Sequence, residues 1–345
     1  MLVCVVGNFG ENDNLTDGQG IKTLELYRAL VRRYGADEVC RVNLHRKNKV
    51  ALALKLLANL ARCQNMIVLV SVNGRKTVIP LLAAFNKVFK RRIFHSLIGS
   101  TTHKTLEENP NLVACYNSLA GNWSETSTEK KLLEELGLSN VTVVKNFKHL
   151  PILKPEQLRY TQQAPFRLCT FSRVEAKKGI PNIVRAVNEV NRRRGRIVYT
   201  LDIYGKVEDH YLQDFEELKK EFGDAVRYMG VVDFDKSVET IRPYYMLVFP
   251  TRYYTEGIPG TILDAMAAGV PVLSAHWESC YDVMTPEIGL IYDFDSDEAL
   301  CNALEFALDN TEVVNNKKVQ CLAEADRYNP DTVVKTIDTY LKGSA

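Results

Sequence analysis

The sequence of 345 residues lacks several patterns that would assign it to a class at once. No apolar run approaches the roughly 20 residues that a helix needs to cross a bilayer. The eight cysteines include no C-x-x-C pair, which argues against a zinc site or a small disulfide framework and favours reduced thiols. The six histidines form no H-x-x-x-H pair, and we predict no metal site. The net charge of +2 gives no reason to expect a nucleic-acid partner.

The sequence does contain an alternation of short apolar runs with helical stretches. The first run, residues 2–6, lacks the charged region of a signal peptide. We expect it to be the first strand. Strands separated by helices predict parallel sheets with helices on both faces. The runs that we interpret as later strands of the first half are 66–70, 92–98, 113–116 and 141–144.

Prolines mark a linker near the middle of the chain, at positions 151, 155 and 165. We therefore predict a first domain over residues 1–160 and a second over 165–328. A helix within 329–345 is expected to pack back on the first domain. The predicted fold is α/β, with two Rossmann-like, doubly wound parallel-sheet domains that face a central cleft.

Two carboxylates stand out in the stretch 247–274, which predicts a buried strand, a polar loop and a helix start. Glu256 lies in the loop and Asp264 in the helix, where they could accept hydrogen bonds from hydroxyls while the helix N-terminus attracts phosphate. A structural alternative exists for Asp264, because Thr261 as N-cap and Asp264 three residues later would form a capping box. No local structural role of this kind explains Glu256.

Two cations flank the turn that follows the first strand of the second half. Arg173 and Lys178 precede a helix that opens at Pro181. Cations beside a helix N-terminus suit a diphosphate, whose charge must be neutralised when it departs. A solvated basic turn is the structural alternative.

Two acidic runs could hold a divalent ion on a nucleotide sugar, since hard oxygen ligands suit Mg²⁺. They are 233–235 and 293–297. Each stands before a predicted helix, where Asp and Ser serve as caps, and we favour that interpretation.

Two histidines follow a predicted strand of the first half, at positions 95 and 103. Either could order a sugar or polarise a reacting centre, although a lone histidine is more often structural. The turn Gly18-Gln19-Gly20 lacks the third glycine of a dinucleotide fingerprint. It is therefore equally consistent with a phosphate contact and with a plain connection.

Two basic, amphipathic stretches occupy 46–62 and 75–92. Leucine, valine and phenylalanine stand beside lysine and arginine there, a pattern typical of helices that lie on an anionic membrane surface. Ordinary sheet-covering helices with solvated outer faces are the alternative.

Five segments resemble one family, and the first of them along the chain is LLEELGLSNVTVVKNF, from Leu132 to Phe147, which resembles the end of its N-terminal domain. EGIPGTILDAMAAGVPVLS, from Glu256 to Ser274, resembles the E-x7-E signature of retaining GT-B glycosyltransferases of family GT4. SRVEAKKGI, from Ser172 to Ile180, resembles the GRLxxxKGI segment of that family. The Tyr204-Gly205 pair resembles its strand-end glycine, and VRYMG, ending at Gly230, its VxFxG segment.

The resemblance implies a role for each matching position. Arg173 and Lys178 would contact the donor diphosphate with backbone N–H groups of the α-helix start, Asp264 would bind the ribose, and Glu256 would hold the donor sugar. Asp264 is one methylene shorter than the Glu that the family usually has at this position. The remaining substrate-binding positions are Gly18, Gln19, Gly20, Gly205, Gly230, Val232, Gly257, Ile258, Pro259, Gly260, Thr261 and Ile262. His95 is our choice for the catalytic histidine of the first domain.

The implied activity is transfer of a sugar, with retention, from a nucleotide diphosphate sugar such as a UDP-sugar to an acceptor hydroxyl. The acceptor would be a lipid-linked or cell-surface polysaccharide intermediate. No metal or other cofactor is expected, and the protein is expected in the cytoplasm, at the inner face of the membrane. The alternatives are a nucleotide-sugar epimerase or hydrolase of the same fold and a non-catalytic nucleotide-binding homologue.

Overall fold

The computed structural model describes residues 2–9, 18–44, 49–233 and 235–343. Its contacts divide the chain into two units. The first unit comprises the chain up to His149 and again from Tyr328 onward, and the second is Leu150–Arg327.

The first unit is built on a parallel sheet of six strands in the order β2-β1-β3-β4-β5-β6. Valine and isoleucine dominate its central strands, which are buried on both faces, as parallel sheets covered by helices require. Its strands are β1 (Val3–Gly7), β2 (Val39–Asn43), β3 (Asn65–Val68), β4 (Arg92–Ser96), β5 (Gly121–Ser124) and β6 (Val141–Val143). Its helices before the linker are α1 (Gly18–Tyr34), α2 (Lys49–Arg62), α3 (Val72–Phe89), α4 (Thr102–Glu108), α5 (Val113–Asn117) and α6 (Ser127–Glu135).

The second unit also has a six-stranded parallel sheet, in the order β12-β11-β10-β7-β8-β9. This is the Rossmann order, in which the first strand of the unit lies between the second and the fourth. Its strands are β7 (Phe166–Phe171), β8 (Tyr199–Tyr204), β9 (Val226–Gly230), β10 (Met246–Phe249), β11 (Val272–Ala275) and β12 (Gly289–Tyr292). Its helices are α7 (Ile180–Arg193), α8 (Leu212–Lys219), α9 (Ser237–Ile241), α10 (Gly260–Ala267), α11 (Asp297–Asp309) and α12 (Thr311–Ala325).

The last helix, α13 (Pro330–Lys342), lies in the first unit. Its Val333, Val334 and Ile337 belong to the core that β1 and α1 form. The side chain of Arg33 pairs with Asp338 of α13. The chain therefore crosses back to its first unit after the second one is complete.

The boundary between the units differs from the predicted one. Residues 150–160, which we assigned to the first domain, belong to the second unit. The N–H of Leu153 donates to the carbonyl of Ala267 at 2.9 Å, and the side chain of Leu158 packs against Gly269. The polar, proline-rich composition of the segment gave no sign of these contacts.

The strand predicted at 113–116 is wrong. These residues form helix α5, whose Tyr116 is fully buried. A run of four residues is too short for its apolar periodicity to separate a buried strand from a buried helical turn. The strand that pairs with β4 is β5, which follows directly.

Candidate functional site

The two strands whose order reverses in the second sheet are β7 and β10, which are direct neighbours. Ligands of doubly wound folds bind outside the carboxyl ends of the strands at such a point. The turn after β7 carries Lys178, and the loop after β10 carries Glu256. These two side chains form an ion pair and are only 13% and 12% exposed. The topology thus brings together two predicted site residues that are 78 positions apart.

Gly179 is the residue that permits this approach. Its φ is +70°, and a Cβ atom there would lie 1.7 Å from the carbonyl oxygen of Pro250. Only a glycine adopts that backbone conformation without strain while another main chain lies so close. The turn before α7 therefore packs directly against the end of β10, with Lys178 beside Glu256.

The loop that carries Glu256 is held at several points. The hydroxyl of Thr251 donates to Glu256 Oε1 at 2.9 Å, and the same oxygen of Thr251 accepts from the N–H of Tyr253 at 3.1 Å. The N–H of Arg252 donates to the carbonyl of Lys177 at 2.9 Å. Contacts within the second unit thus fix the position of the Glu256 carboxylate. Sequence inspection missed Thr251, although its place directly after the strand was a usable signal.

Arg173 lies at the same strand edge but is far more open. Its side chain is 52% exposed, and its guanidinium is 3.5 Å from Glu175 and 3.8 Å from Glu208. Exposed pairs of this length contribute little to stability and exchange partners readily. Arg173 is therefore available to an incoming anion.

Helix α10 begins two residues earlier than the capping-box alternative requires. Pro259 is its N-cap and Gly260 its first residue, which places Asp264 in the second turn. Thr261 caps nothing: its hydroxyl oxygen is buried and makes no hydrogen bond with any residue that the structure describes. The N–H of Ile262 donates to the carbonyl of Pro259 at 3.1 Å and is therefore already hydrogen-bonded. In general, the first N–H groups of a helix lack acceptors within the helix.

Asp264 is buried, with 3% of its surface exposed. Because it is not part of a capping box, the local explanation that we offered for this carboxylate is wrong. A carboxylate is rarely buried in a helix without a specific partner. Its proximity to the N-terminus of α10 places a second carboxylate near the loop of Glu256.

The remaining predicted positions of the second unit lie along the same sheet edge. Gly205 follows β8 at φ +134°, where a Cβ atom would lie 1.7 Å from the carbonyl oxygen of Ser172. Gly230 ends β9, and Val232 is half-buried just beyond it. In the loop before α10, Ile258 is buried while Gly257 and Pro259 are half-buried.

The acidic run 293–297 serves structure. The hydroxyl of Ser296 accepts from the N–H of Ala299 at 3.1 Å and caps α11, and Asp295 pairs with Arg252. In the run 233–235, Phe234 lies outside the described residues. The N-cap of the following helix, α9, is Lys236, and its side chain forms no capping hydrogen bond. Neither run forms a metal-ligating cluster among the described residues.

His95 lies inside the first unit, one residue before the end of β4. It is fully buried, and neither ring nitrogen has a hydrogen-bond partner among the described residues. Burial, and then the charges of Arg75 and Lys22, lower its pKa to about 3. A neutral, enclosed imidazole does not fit the substrate contact that we predicted for it.

We expect His95 to make the fold sensitive to acid. The folded pKa is about 3 against an ordinary value of 6.5, so between these values the unfolded chain binds a proton that the folded chain does not. Stability should therefore fall by about 1.4 kcal/mol for each pH unit below 6.5. Thermal unfolding between pH 7 and pH 5 should show a shallower pH dependence in His95→Asn than in the wild type. The exposed His149→Asn should keep the wild-type dependence, and equal slopes in all three proteins would refute the assignment.

His103 stands at the start of α4, closer to the end of the first sheet. Its Nδ1 is 2.5 Å from Glu129 Oε2, and Glu129 Oε1 accepts from the N–H groups of Thr102 and His103. A second buried pair joins Lys22 of α1 to Glu125, and Lys22 Nζ also donates to the carbonyl of Leu97 at 2.6 Å. Charged groups thus hold the segment that follows β4, which the sequence did not indicate.

The turn Gly18-Gln19-Gly20 is the first turn of α1. The carbonyl of Gln19 accepts from the hydroxyl of Thr23 at 2.9 Å. Gly18 is exposed and Gly20 is buried. Asp17 and the rest of the preceding loop lie outside the described residues, so the predicted contact with a donor stays a prediction.

Part of the second unit matches a known protein family. Residues 165–310 match the family model described as "Glycosyl transferases group 1". Residues 165–310 therefore form a group 1 glycosyltransferase domain within the second unit. The resemblance inferred from the E-x7-E-like segment is thereby confirmed, and the domain contains Arg173, Lys178, Glu256 and Asp264.

A curated relative matches only part of the chain. A GDP-mannose-dependent monoacylated alpha-(1-6)-phosphatidylinositol monomannoside mannosyltransferase of Corynebacterium glutamicum is 22% identical over 160 residues. That match covers 45% of this chain and 41% of the relative, so it spans less than half of either protein.

Solved glycosyltransferase structures show the fold. Anabaena HepE in complex with UDP has a TM-score of 0.78 at 13% identity, covering 99% of this chain and all (100%) of that one. Sucrose-phosphate synthase of Thermosynechococcus elongatus has a TM-score of 0.73 at 13% identity, covering 99% and 98%. The chain therefore has the α/β fold of GT-B glycosyltransferases, with two Rossmann-like units.

Proposed function

We propose that the protein is a retaining glycosyltransferase that transfers a sugar from a nucleotide diphosphate sugar to an acceptor hydroxyl. The observation that carries the proposal is the Lys178–Glu256 ion pair at the reversal point of the second sheet. The domain family and the fold support it. A UDP-sugar is the proposed donor, since HepE has been solved with UDP and with UDP-glucose.

The charges of the site suit departure of a diphosphate. Arg173 and Lys178 offset negative charge as the bond to the sugar breaks, and the first N–H groups of α10 add the positive end of the helix dipole. Lys178 also offsets the charge of Glu256, so that a carboxylate and a diphosphate can occupy one site. With this stabilisation we propose that the transfer step needs neither a metal nor a strong general acid.

Glu256 and Asp264 supply the acceptors for hydroxyl groups. Glu256 is fixed by Thr251 and Lys178, so its geometry is set before a donor arrives. We propose that it holds the donor sugar, with the backbone of Gly257, Ile258 and Pro259, and that Asp264 binds the ribose. Gly230 and Val232 are proposed to meet the base.

A donor screen tests the function. The full chain is incubated with UDP-glucose, UDP-galactose, UDP-N-acetylglucosamine or GDP-mannose and a panel of lipid-linked acceptors, and products are identified by mass spectrometry. A glycosylated acceptor with retained configuration supports the proposal. Stoichiometric free sugar or an epimer without acceptor would instead indicate a hydrolase or epimerase, and tight donor binding without turnover would indicate a non-catalytic homologue.

Arg173 provides a matched test of diphosphate binding. We expect Arg173→Gln to weaken UDP binding about 10- to 100-fold, the loss typical of one charge-assisted hydrogen bond, while uridine binding changes little. Isothermal titration calorimetry measures both. Arg185→Gln is the control, because Arg185 is also exposed and paired with a glutamate, Glu221, but lies on α7 away from the strand edge. Equal losses in both variants would contradict the role of Arg173.

We further propose that the first unit lies on an anionic membrane, at the cytoplasmic face. No helix in the described ranges is long and apolar enough to cross a membrane. However, α2 and α3 present exposed apolar side chains at helical spacing: Val50 is 71%, Leu54 63% and Val88 78% exposed. Lysines and arginines border them at Arg62, Lys87 and Lys90.

Part of each predicted membrane stretch is unsuited to this role. Residues 46–48 lie outside the described part of the chain. Arg75 is buried and donates to the carbonyl of Ile98 at 2.7 Å, and Arg92 donates to the carbonyl of Tyr340 at 3.2 Å. The proposed surface is therefore limited to the outer faces of α2 and α3.

Vesicle flotation tests the membrane surface. Wild-type protein should bind vesicles of phosphatidylglycerol and phosphatidylcholine at low salt. The double variant Leu54→Glu, Val88→Glu should bind at least about 10-fold more weakly, because each removed side chain forfeits roughly 1.5–3 kcal/mol of burial. Val313→Glu is the control, as Val313 is an exposed apolar residue of the second unit. Failure of the wild type to bind would refute this surface.

A further inference from the structure

Three cysteines that are far apart in the sequence lie together in the first unit. Cys4 of β1 and Cys40 of β2 are partners in the strand register, and Cys63 follows α2. The Sγ atoms of Cys40 and Cys63 are 3.5 Å apart, and all three Sγ atoms lie within 4.8 Å of one another. Among the described residues they are the one group of three metal-ligating side chains so placed.

The surroundings of these cysteines are closed on one side and accessible on the other. Cys4 and Cys63 are buried in the core that α2 forms with the sheet, whereas Cys40 is half-buried. Asn59 Oδ1 accepts from Cys40 Sγ at 3.2 Å. An ion could therefore enter beside Cys40 and reach sulfurs that water does not.

Thiolates rather than thiols are the metal-binding form of cysteine, so each ligand would lose its proton when an ion binds. Cys115 lies outside this cluster.

We propose that Cys4, Cys40 and Cys63 bind one thiophilic d10 metal ion, Zn²⁺ or Cu⁺, as a three-thiolate site. In tetrahedral zinc sites with Zn–S bonds of about 2.3 Å, the sulfurs are about 3.8 Å apart. The observed separations require only small side-chain adjustments to reach this value. Soft thiolates select such metals over Mg²⁺ or Ca²⁺. A water molecule or Asn59 Oδ1 can supply the fourth ligand.

A metal accounts for the cluster better than a disulfide does. A disulfide would use two of the three cysteines and leave one buried thiol over, and its sulfurs would have to close from 3.5 Å to about 2.05 Å. One metal ion engages all three. It would tie β1, β2 and the connection from α2 to β3 into one unit, and its binding would release protons from the thiols.

Metal titration of the full chain tests the site. Protein purified without oxygen and stripped with a chelator is titrated with Co²⁺ and then with Zn²⁺. We expect thiolate-to-Co²⁺ charge-transfer absorption at about one ion per chain, displacement by Zn²⁺, and a higher thermal midpoint of unfolding with Zn²⁺. A parallel titration with Cu⁺ under reducing conditions distinguishes the two metals, and binding of either supports the site.

Matched variants assign the ligands. Cys40→Ser, the least buried change, should lower Zn²⁺ affinity at least about 100-fold, since losing a ligand should cost no less than losing an outer-shell partner. Cys115→Ser should bind Zn²⁺ like the wild type. Because sugar transfer is not the readout, failure of this proposal would leave the proposed function untouched.

Three results would overturn the site. One is the absence, in the wild type, of both Co²⁺ charge-transfer absorption and Cu⁺ binding. Another is unchanged Zn²⁺ affinity in Cys40→Ser. The third is a disulfide among these cysteines, shown by peptide mass spectrometry of protein kept reduced during purification.

Discussion

Replacing Glu256 with glutamine is expected to lower sugar transfer by at least about 100-fold, the effect seen when one preorganised polar group is lost from an active site. The amide keeps the size of the side chain and can still accept from Thr251. It removes the charge that pairs with Lys178 and weakens acceptance from sugar hydroxyls. Initial rates with saturating donor and acceptor measure the effect, and thermal unfolding shows whether the fold is retained.

The control for this variant is Glu298→Gln. Glu298 is an exposed carboxylate in the first turn of α11, away from the loop of Glu256. It should transfer sugar at the wild-type rate. Wild-type transfer by Glu256→Gln would refute the proposed role, whereas loss of transfer together with loss of the folded state would point to a structural one. Binding of UDP should change less than transfer, because the carboxylate is assigned to the sugar.

Replacing Gly179 with alanine is expected to have the largest effect on stability, about 3 kcal/mol or more. The added Cβ would lie 1.7 Å from the carbonyl oxygen of Pro250, a main-chain atom that cannot rotate away. The turn before α7 and the end of β10 must then separate. Because Lys178 precedes this glycine and Glu256 follows Pro250, the ion pair should be lost and UDP binding should weaken.

Gly195→Ala separates steric contact from backbone strain. Gly195 also has a positive φ, +64°, but a Cβ atom there meets nothing within 4 Å. It should cost only the strain of a left-handed residue, about 1–2 kcal/mol. Calorimetry, which resolves the transitions of a two-unit protein, measures both variants. Equal losses of stability would show that the approach to Pro250 is unimportant.

The family motif around Glu256 was predictable because it is local. Glu256 and Asp264 are eight positions apart within one loop and one helix, and Arg173 and Lys178 lie within one turn. The strand–loop–helix pattern around each of these two pairs predicts that its side chains lie after the end of a strand. The family match to residues 165–310 confirms the resemblance that these segments suggested.

Other features could not be predicted from spacing. The capping box at Thr261 was wrong, because Pro259 ends the loop and the helix begins at Gly260. His95 lies one residue before the end of β4, and its ring is fully buried rather than open to a ligand. The start of a helix and the burial of a strand-end side chain depend on packing rather than on composition.

The sequence by itself determined the α/β alternation and the family motif around Glu256, since both depend on neighbours along the chain. It also predicted that the last helix packs back on the first domain. The tertiary structure decided which distant residues meet. Lys178 reaches Glu256 because β7 and β10 are adjacent and Gly179 permits contact, and Cys4, Cys40 and Cys63 meet because β1, β2 and the end of α2 converge. Strand order and close main-chain approach arise only in the folded chain, so cysteines without a recognisable spacing could still form a site.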